Sequence, residues 1–199
     1  MNYFGSMASN EFFVHPSSIV DEGALIGKGT RIWHFCHVSA TSKIGDRCNL
    51  GQNVYIDSNA IIGNGVKIQN NVSVYNGVII EDDVFLGPSM VFTNVINPRS
   101  FIERKNEFKQ TIVRRGATIG ANATILCGIE IGRYALIGAG AVVTKNVLAF
   151  AIITGNPARQ SGWVSEAGIK LNFNANGIAK CPQTGKLFKL ENGIVEIAG

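Results

Sequence analysis

Aliphatic residues recur every sixth position along most of this chain. They run Val14, Val20, Ile26, Ile32, Val38, Ile44, Leu50, Ile56, Ile62, Ile68, Val74, Ile80 and Leu86, then Phe92. After a break the series resumes at Val113, Ile119, Ile125, Ile131, Ile137 and Val143. An amphipathic helix needs a period of about 3.6 and a half-buried strand a period of 2, so neither fits alone. A period of six predicts short strands joined by tight corners, three to a coil, stacked as a parallel β-solenoid. If the aliphatic residue is position one, position five also points inward and is small or branched, as at Thr30, Cys36, Val54, Val72, Ala117 and Ala141. Position four is Gly, Asn or Asp in 13 of the 20 hexads, Asn146 among them. These residues tolerate a positive φ at least cost, so a corner is expected there in every hexad. Coils stacked one strand spacing apart, about 4.8 Å, give roughly seven coils and a prism about 35 Å long.

The break carries the functional signal. The step from Phe92 to Val113 is not a multiple of six, so a loop over residues 95–112 must leave the prism and return. Residues 94–115 hold Arg99, Arg104, Lys105, Lys109, Arg114 and Arg115 against Glu103 and Glu107, an excess equal to the whole net charge of +4. A total so small does not point to nucleic acid, but a local patch suits a phosphorylated or carboxylated small molecule. Phe101 and Phe108 among those charges predict that the loop docks on something, a neighbouring subunit in a trimer for example.

Residues three hexads apart fall in vertical columns. Asn76 and Asn94 lie one above the other, with Asn94 at the root of the loop. His34, Gln52 and Asn70 make a second column, and His37 and Tyr55 a third. Asn94 and His34 are therefore candidate catalytic residues, and Asn76, Arg99, Arg104 and Lys105 candidate substrate ligands. The four cysteines have no paired spacing, and Cys36 and Cys48 fall on inward positions. They read as reduced core filler in a cytoplasmic protein. No signal peptide or membrane span is evident, so no membrane insertion is expected. Residues 1–6 read as a possible expression remnant preceding Met7.

Three stretches resemble the coenzyme A end of the hexapeptide acetyltransferases: Gly116-Ala-Thr-Ile-Gly-Ala-Asn-Ala-Thr-Ile-Leu-Cys-Gly-Ile-Glu-Ile-Gly, Ile137-Gly-Ala-Gly-Ala-Val-Val-Thr-Lys-Asn-Val and Gly155-Asn-Pro-Ala-Arg159. The resemblance implies a left-handed parallel β-helix that takes acetyl-CoA as co-substrate. It places Gly120, Ala121, Asn122 and Ala139 along the coenzyme, with Lys145 and Arg159 at its phosphates. Arg31-Ile-Trp-His-Phe-Cys-His37, Asn70-Asn-Val-Ser-Val-Tyr-Asn-Gly77, residues 81–99 and Val113-Arg-Arg-Gly116 are similar to nucleotide-sugar 3-N-acetyltransferases. That likeness implies a bacterial homotrimer with its sites between subunits. It also implies a UDP-linked 2-acetamido-3-amino-2,3-dideoxy-glucuronic acid as acceptor, made for lipopolysaccharide O-antigen.

The hexad series ends before the tail, so the expected division is a β-helix over 12–160 and a small antiparallel meander over 161–199. Asn176-Gly177, Thr184-Gly185 and Asn192-Gly193 are hairpin signals between four expected strands, Lys170 to Phe173 being the first. Cys181-Pro-Gln-Thr-Gly185 holds one cysteine where a zinc site needs four ligands, so no metal is expected. His15, His34 and His37 lack the spacing of a three-histidine zinc site like that of the hexapeptide carbonic anhydrases. Two alternatives keep the same fold: an O-acyltransferase acting on a nucleotide sugar or small hydroxyl acceptor, and a non-catalytic solenoid scaffold.

Overall fold

The computed structural model describes residues 12 to 198; the stretch 1–6 lies outside them. Strands of two or three residues wind as a parallel solenoid of three sheets. The first face carries the rungs Val14, Ile32, Leu50, Ile68, Leu86, Ile119 and Ile137; the second carries Val20, Val38, Ile56, Val74, Phe92, Ile125 and Val143. The third carries Ile26, Ile44, Ile62, Ile80, Val113 and Ile131. Ile32 pairs with Leu50 and Val38 with Ile56, so successive coils stack in register, each three hexads beyond the last.

The hexad explains the packing. Rungs from Ile32 to Val143 are buried together with the position-five residues Cys36, Val54, Val72, Ala117 and Ala141, forming one continuous apolar column. Burial also pushes the Cys36 and Cys48 thiols up, leaving both as inert core groups. Position two is often glycine for a reason of contact: a Cβ on Gly87 would lie 2.6 Å from the Ala121 nitrogen of the coil above. At the corner between third and first faces, the Lys28 amide donates to Asp46 at 2.8 Å, Asp46 to Asn64 at 2.8 Å and Asn64 to Asp82 at 2.7 Å. Side-chain acceptors thus satisfy amides that no strand partner reaches.

Outside the loop, every position-four corner from Gly23 to Gly140 has positive φ, including Phe35, Thr41, Arg47, Ser89 and Tyr134. Asn146 does not, contrary to expectation. The last coil is shortened, since a full one would set Ile137 against Gly155 rather than Ile153, and Asn146 instead accepts a hydrogen bond from the Glu130 amide at 2.9 Å. At the loop, Ile80 pairs with Val113 where an uninterrupted coil would offer Pro98, so the coil absorbs the whole insertion without losing register.

The strand Arg159–Trp163 turns back antiparallel on Ala151–Thr154, so the first face runs through the boundary expected at 160. The tail forms three antiparallel strands, Ile178–Lys180, Leu187–Glu191 and Ile194–Ala198. The fourth expected strand is absent: between Lys170 and Phe173 only Lys170 bridges to Val164, and Leu171 turns into a second core with Phe150, Cys181, Phe188 and Val195. That core covers the C-terminal end of the solenoid, where stacked strands would otherwise face water.

Candidate active site

The corner between second and third faces lines up Asn76, Asn94, Cys127 and Lys145 on four successive coils. Asn76 and Asn94 are half-buried, and among the described residues neither side-chain amide has a protein partner. Asp57 holds the base of this column. Its carboxylate accepts the Tyr55 hydroxyl at 3.0 Å, the Ser58 amide at 2.8 Å and the Asn76 amide at 3.3 Å. The Asn94 carbonyl accepts the Lys109 amide at 3.1 Å, which pins the returning limb of the loop beside the asparagine. Two open side-chain amides, about 4.8 Å apart, form a donor and acceptor pair suited to orienting a polar acceptor group.

The basic patch is less free than its composition implies. Arg114 pairs with Glu130 at 2.8 Å and Glu81 at 2.7 Å, and Arg115 with Asp83 at 3.0 Å. These pairs keep Arg114 firmly protonated and draw the Glu130 carboxyl below its ordinary range. They tie coils together and line a cavity of about 580 Å³ together with Arg133, Asn146 and Leu148. Within the loop Arg104 pairs with Glu107 at 2.7 Å and Lys105 with Glu103 at 3.4 Å. Of the three expected anion ligands, only Arg99 keeps its charge uncompensated among the described residues; its guanidinium touches the Pro98 carbonyl. Arg104 retains one buried Nε–H without an acceptor.

The expected coenzyme residues divide between two edges. Gly120, Ala121, Asn122 and Ala139 lie at the corner between first and second faces, on adjoining coils. The Gly120 amide is engaged by the Ile137 carbonyl at 2.8 Å, so it offers nothing to an oxyanion. Asn122 likewise donates to Pro88 at 3.0 Å. The Ala121 and Ala139 amides have no internal acceptor among the described residues and are the donors that remain. Lys145 and Arg159 share a cavity of about 360 Å³ with Thr144, Asn146, Leu148 and Gln160, one edge further round. Thr144 and Gln160 were not expected; they become visible only when the last coil closes.

His34 is not with the asparagines. It sits on the second coil, three coils below Asn94, about 14 Å along the axis by strand spacing. Its ring stacks on His15 with centroids 3.5 Å apart, which lowers the His15 pKa through desolvation and then through the neighbouring imidazole. His37 pairs with Asp21 at 3.1 Å on the second face. Among the described residues no three or more His, Cys, Asp or Glu side chains gather closely enough to hold a metal ion.

The model of the bacterial transferase hexapeptide family (six repeats) matches residues 23–58, 59–91 and 110–145, leaving out most of the loop. A relative from Aneurinibacillus thermoaerophilus, dTDP-3-amino-3,6-dideoxy-alpha-D-galactopyranose 3-N-acetyltransferase, is 47% identical over 96% of this chain and 97% of its own length. The chain is a hexapeptide-repeat N-acetyltransferase. Solved structures share the fold at lower identity. The acetyltransferase domain of PglB from Neisseria gonorrhoeae, in complex with acetyl coenzyme A, matches with TM-score 0.52 and 18% identity over 75% of this transferase. This transferase spans 57% of that chain. A maltose O-acetyltransferase from Clostridium difficile matches with TM-score 0.52 and 25% identity, covering 59% of this chain and 67% of its own. No helix among the described residues is long and apolar enough to cross a membrane.

Proposed function

We propose that this transferase moves the acetyl group of acetyl-CoA to the 3-amino group of a nucleotide-linked amino sugar. The observation that carries the reading is the 47% identity, over nearly the whole of both chains, to an enzyme named for that reaction on a dTDP-linked sugar. The working unit in this reading is a homotrimer with its sites between copies. Two features support it. The coenzyme residues lie on two separate edges of one prism, so a second copy is needed to bring such edges together. The loop also carries Phe101 82% exposed, beside the exposed Ile96 and Ile102, an apolar surface that a neighbour would cover.

The neutral amine attacks the thioester carbonyl, forming a C–N bond and a tetrahedral oxyanion. The oxyanion collapses with loss of the thiolate, and the thiolate takes the ammonium proton. Asn94 and Asn76 orient the acceptor. The Ala121 and Ala139 amides face the coenzyme arm or the developing oxyanion. Lys145 and Arg159 hold coenzyme phosphates, and Arg99 an anionic group of the sugar nucleotide. An amine is partly neutral near physiological pH, so no histidine base is required, and the height of His34 on the prism agrees with that.

The acceptor we propose is the UDP-linked 2-acetamido-3-amino-2,3-dideoxy-glucuronate, in bacterial cytoplasm, on the way to O-antigen. The segments Arg31–His37 and Asn70–Gly77 and the loop arginines support this choice. The test is a coenzyme-release assay over UDP- and dTDP-linked 3-amino sugars with and without a carboxylate. Turnover confined to sugars lacking the carboxylate would remove the uronate assignment; no turnover with any amino sugar would remove the reading.

A further inference from the structure

Phe35 occupies a corner at φ 58 and is 62% exposed. The left-handed conformation costs a bulky residue more than glycine or asparagine, which fill many of the other corners. Tyr134, at a like corner, offsets that strain by stacking on buried Phe150 at 5.4 Å. Phe35 packs on no core, and its ring stands open to solvent beside His34, with centroids 6.1 Å apart. Beside it Trp33, 37% exposed, is fixed by its Nε1–H donating to Asn49 at 2.8 Å. The Trp33 ring lies within 8° of parallel to His34, which stacks in turn on His15. Oriented aromatic faces opening to solvent are what a planar heterocycle stacks on.

The vertical order is informative. The shelf is on the second coil, Asn94 on the fifth, and the Ala121, Ala139 and Lys145 donors on the sixth and seventh. Rotation about an axis parallel to the prism leaves heights unchanged, so this order holds within one chain or between symmetric copies. Outward on the first face, Arg31 and Lys67 stand at the second and fourth coils, and neither has a carboxylate partner among the described residues. From the second coil upward the order is therefore the aromatic shelf with Arg31 level with it, the asparagine pair on the fourth and fifth coils with Lys67 level with its lower member, and then the coenzyme donors. A nucleoside diphosphate joined to a hexose carries its base at one end and its amine near the other, with the phosphates between, and the three coils from shelf to Asn94, about 14 Å, suit that span.

We infer that Trp33 and Phe35, backed by His34 and His15, form the shelf on which the nucleobase of the acceptor stacks, with Arg31 and Lys67 beside its diphosphate. The inference rests on the nucleotide-sugar reading above and adds residues for the base. The test titrates uridine and thymidine diphosphate, without sugar, into the full chain while following tryptophan emission. Quenching is expected in the wild type and is lost in Trp33→Leu, which retains only Trp163. Phe35→Gly keeps the corner and relieves its strain, so it folds. Its KM for the nucleotide sugar is expected to rise about tenfold with kcat within about twofold. Unchanged quenching in Trp33→Leu, or an unchanged KM in Phe35→Gly, overturns the shelf. So does a Phe35→Gly protein whose native mass falls while its nucleotide affinity stays, since the shelf is then a subunit contact. The underlying reading fails by a different sign, absence of acetyl transfer by the wild type.

Discussion

The solenoid wall and the loop that interrupts it are built on opposite principles. In the wall each side chain has its role set by position within the hexad, and neighbours three hexads away repeat it. In the loop, residues 95–110, no side chain belongs to a core, a single 3-10 turn at Lys105–Glu107 is the one helical element among the described residues, and local ion pairs shape the rest. Yet Val113 resumes on Ile80 as if nothing intervened. A stacked coil adds one rung at a time and needs only its neighbours, so it tolerates a large insertion at a corner. Stability and chemistry can therefore change independently, the first in the wall and the second at the loop's root.

Substitutions should separate the two regions. Ile119→Ala, in a fully buried rung, is expected to cost about 2–5 kcal/mol in thermal or urea unfolding, whereas Glu103→Ala, at an exposed loop position, should stay within about 0.5 kcal/mol. Equal losses from both would mean that the loop is part of the fold. Asn94→Ala is expected to reduce kcat/KM about a hundredfold with an unchanged melting temperature, since it removes an orienting group and no core contact. A lower melting temperature with full activity would make Asn94 a corner residue only.

Smaller effects sharpen the boundary. Arg99→Ala is expected to raise the KM for the sugar nucleotide about tenfold, whereas Lys105→Ala, already paired with Glu103, should change it less than about threefold. The smallest effect concerns pH. Arg114 holds the Glu130 carboxyl below its ordinary 4.5, so the pair stabilises the fold above that value and is lost as pH falls through the lower folded value. Glu130→Gln should flatten the stability change below about pH 4.5. His15, lowered from 6.5, has the same sign: its contribution is present above 6.5 and is lost as pH falls through its lower folded value.

Much of the site was legible as column arithmetic. Steps of three hexads placed Asn76 beneath Asn94, because the wall converts sequence distance into height; Lys145 joins that edge only through the pairing of Phe92 with Ile125 across the loop. Arithmetic of that kind does not give charge pairing. Arg104, Arg114 and Arg115 read as free cations until the structure set Glu107, Glu81, Glu130 and Asp83 beside them. Nor does it give hydrogen-bond accounting: the resemblance sets Gly120 along the coenzyme, while its amide is committed to Ile137 and its missing Cβ makes room for the coil above.

The sequence by itself determined the coil, since a six-residue alternation of inward aliphatics and corners admits no helix and no flat sheet. Only the tertiary structure decided how strictly the corners are enforced. Phe35, Thr41, Arg47, Ser89 and Tyr134 adopt a conformation their own preferences oppose, because buried rungs on either side fix the backbone between them. Asn146, whose preference favours that conformation, is released from it because the final coil is short and its side chain has a better acceptor role toward Glu130. Burial of several branched side chains outweighs the local cost of one strained φ, so the repeat governs wherever a full coil lies above and below, and local preference returns at the end of the stack.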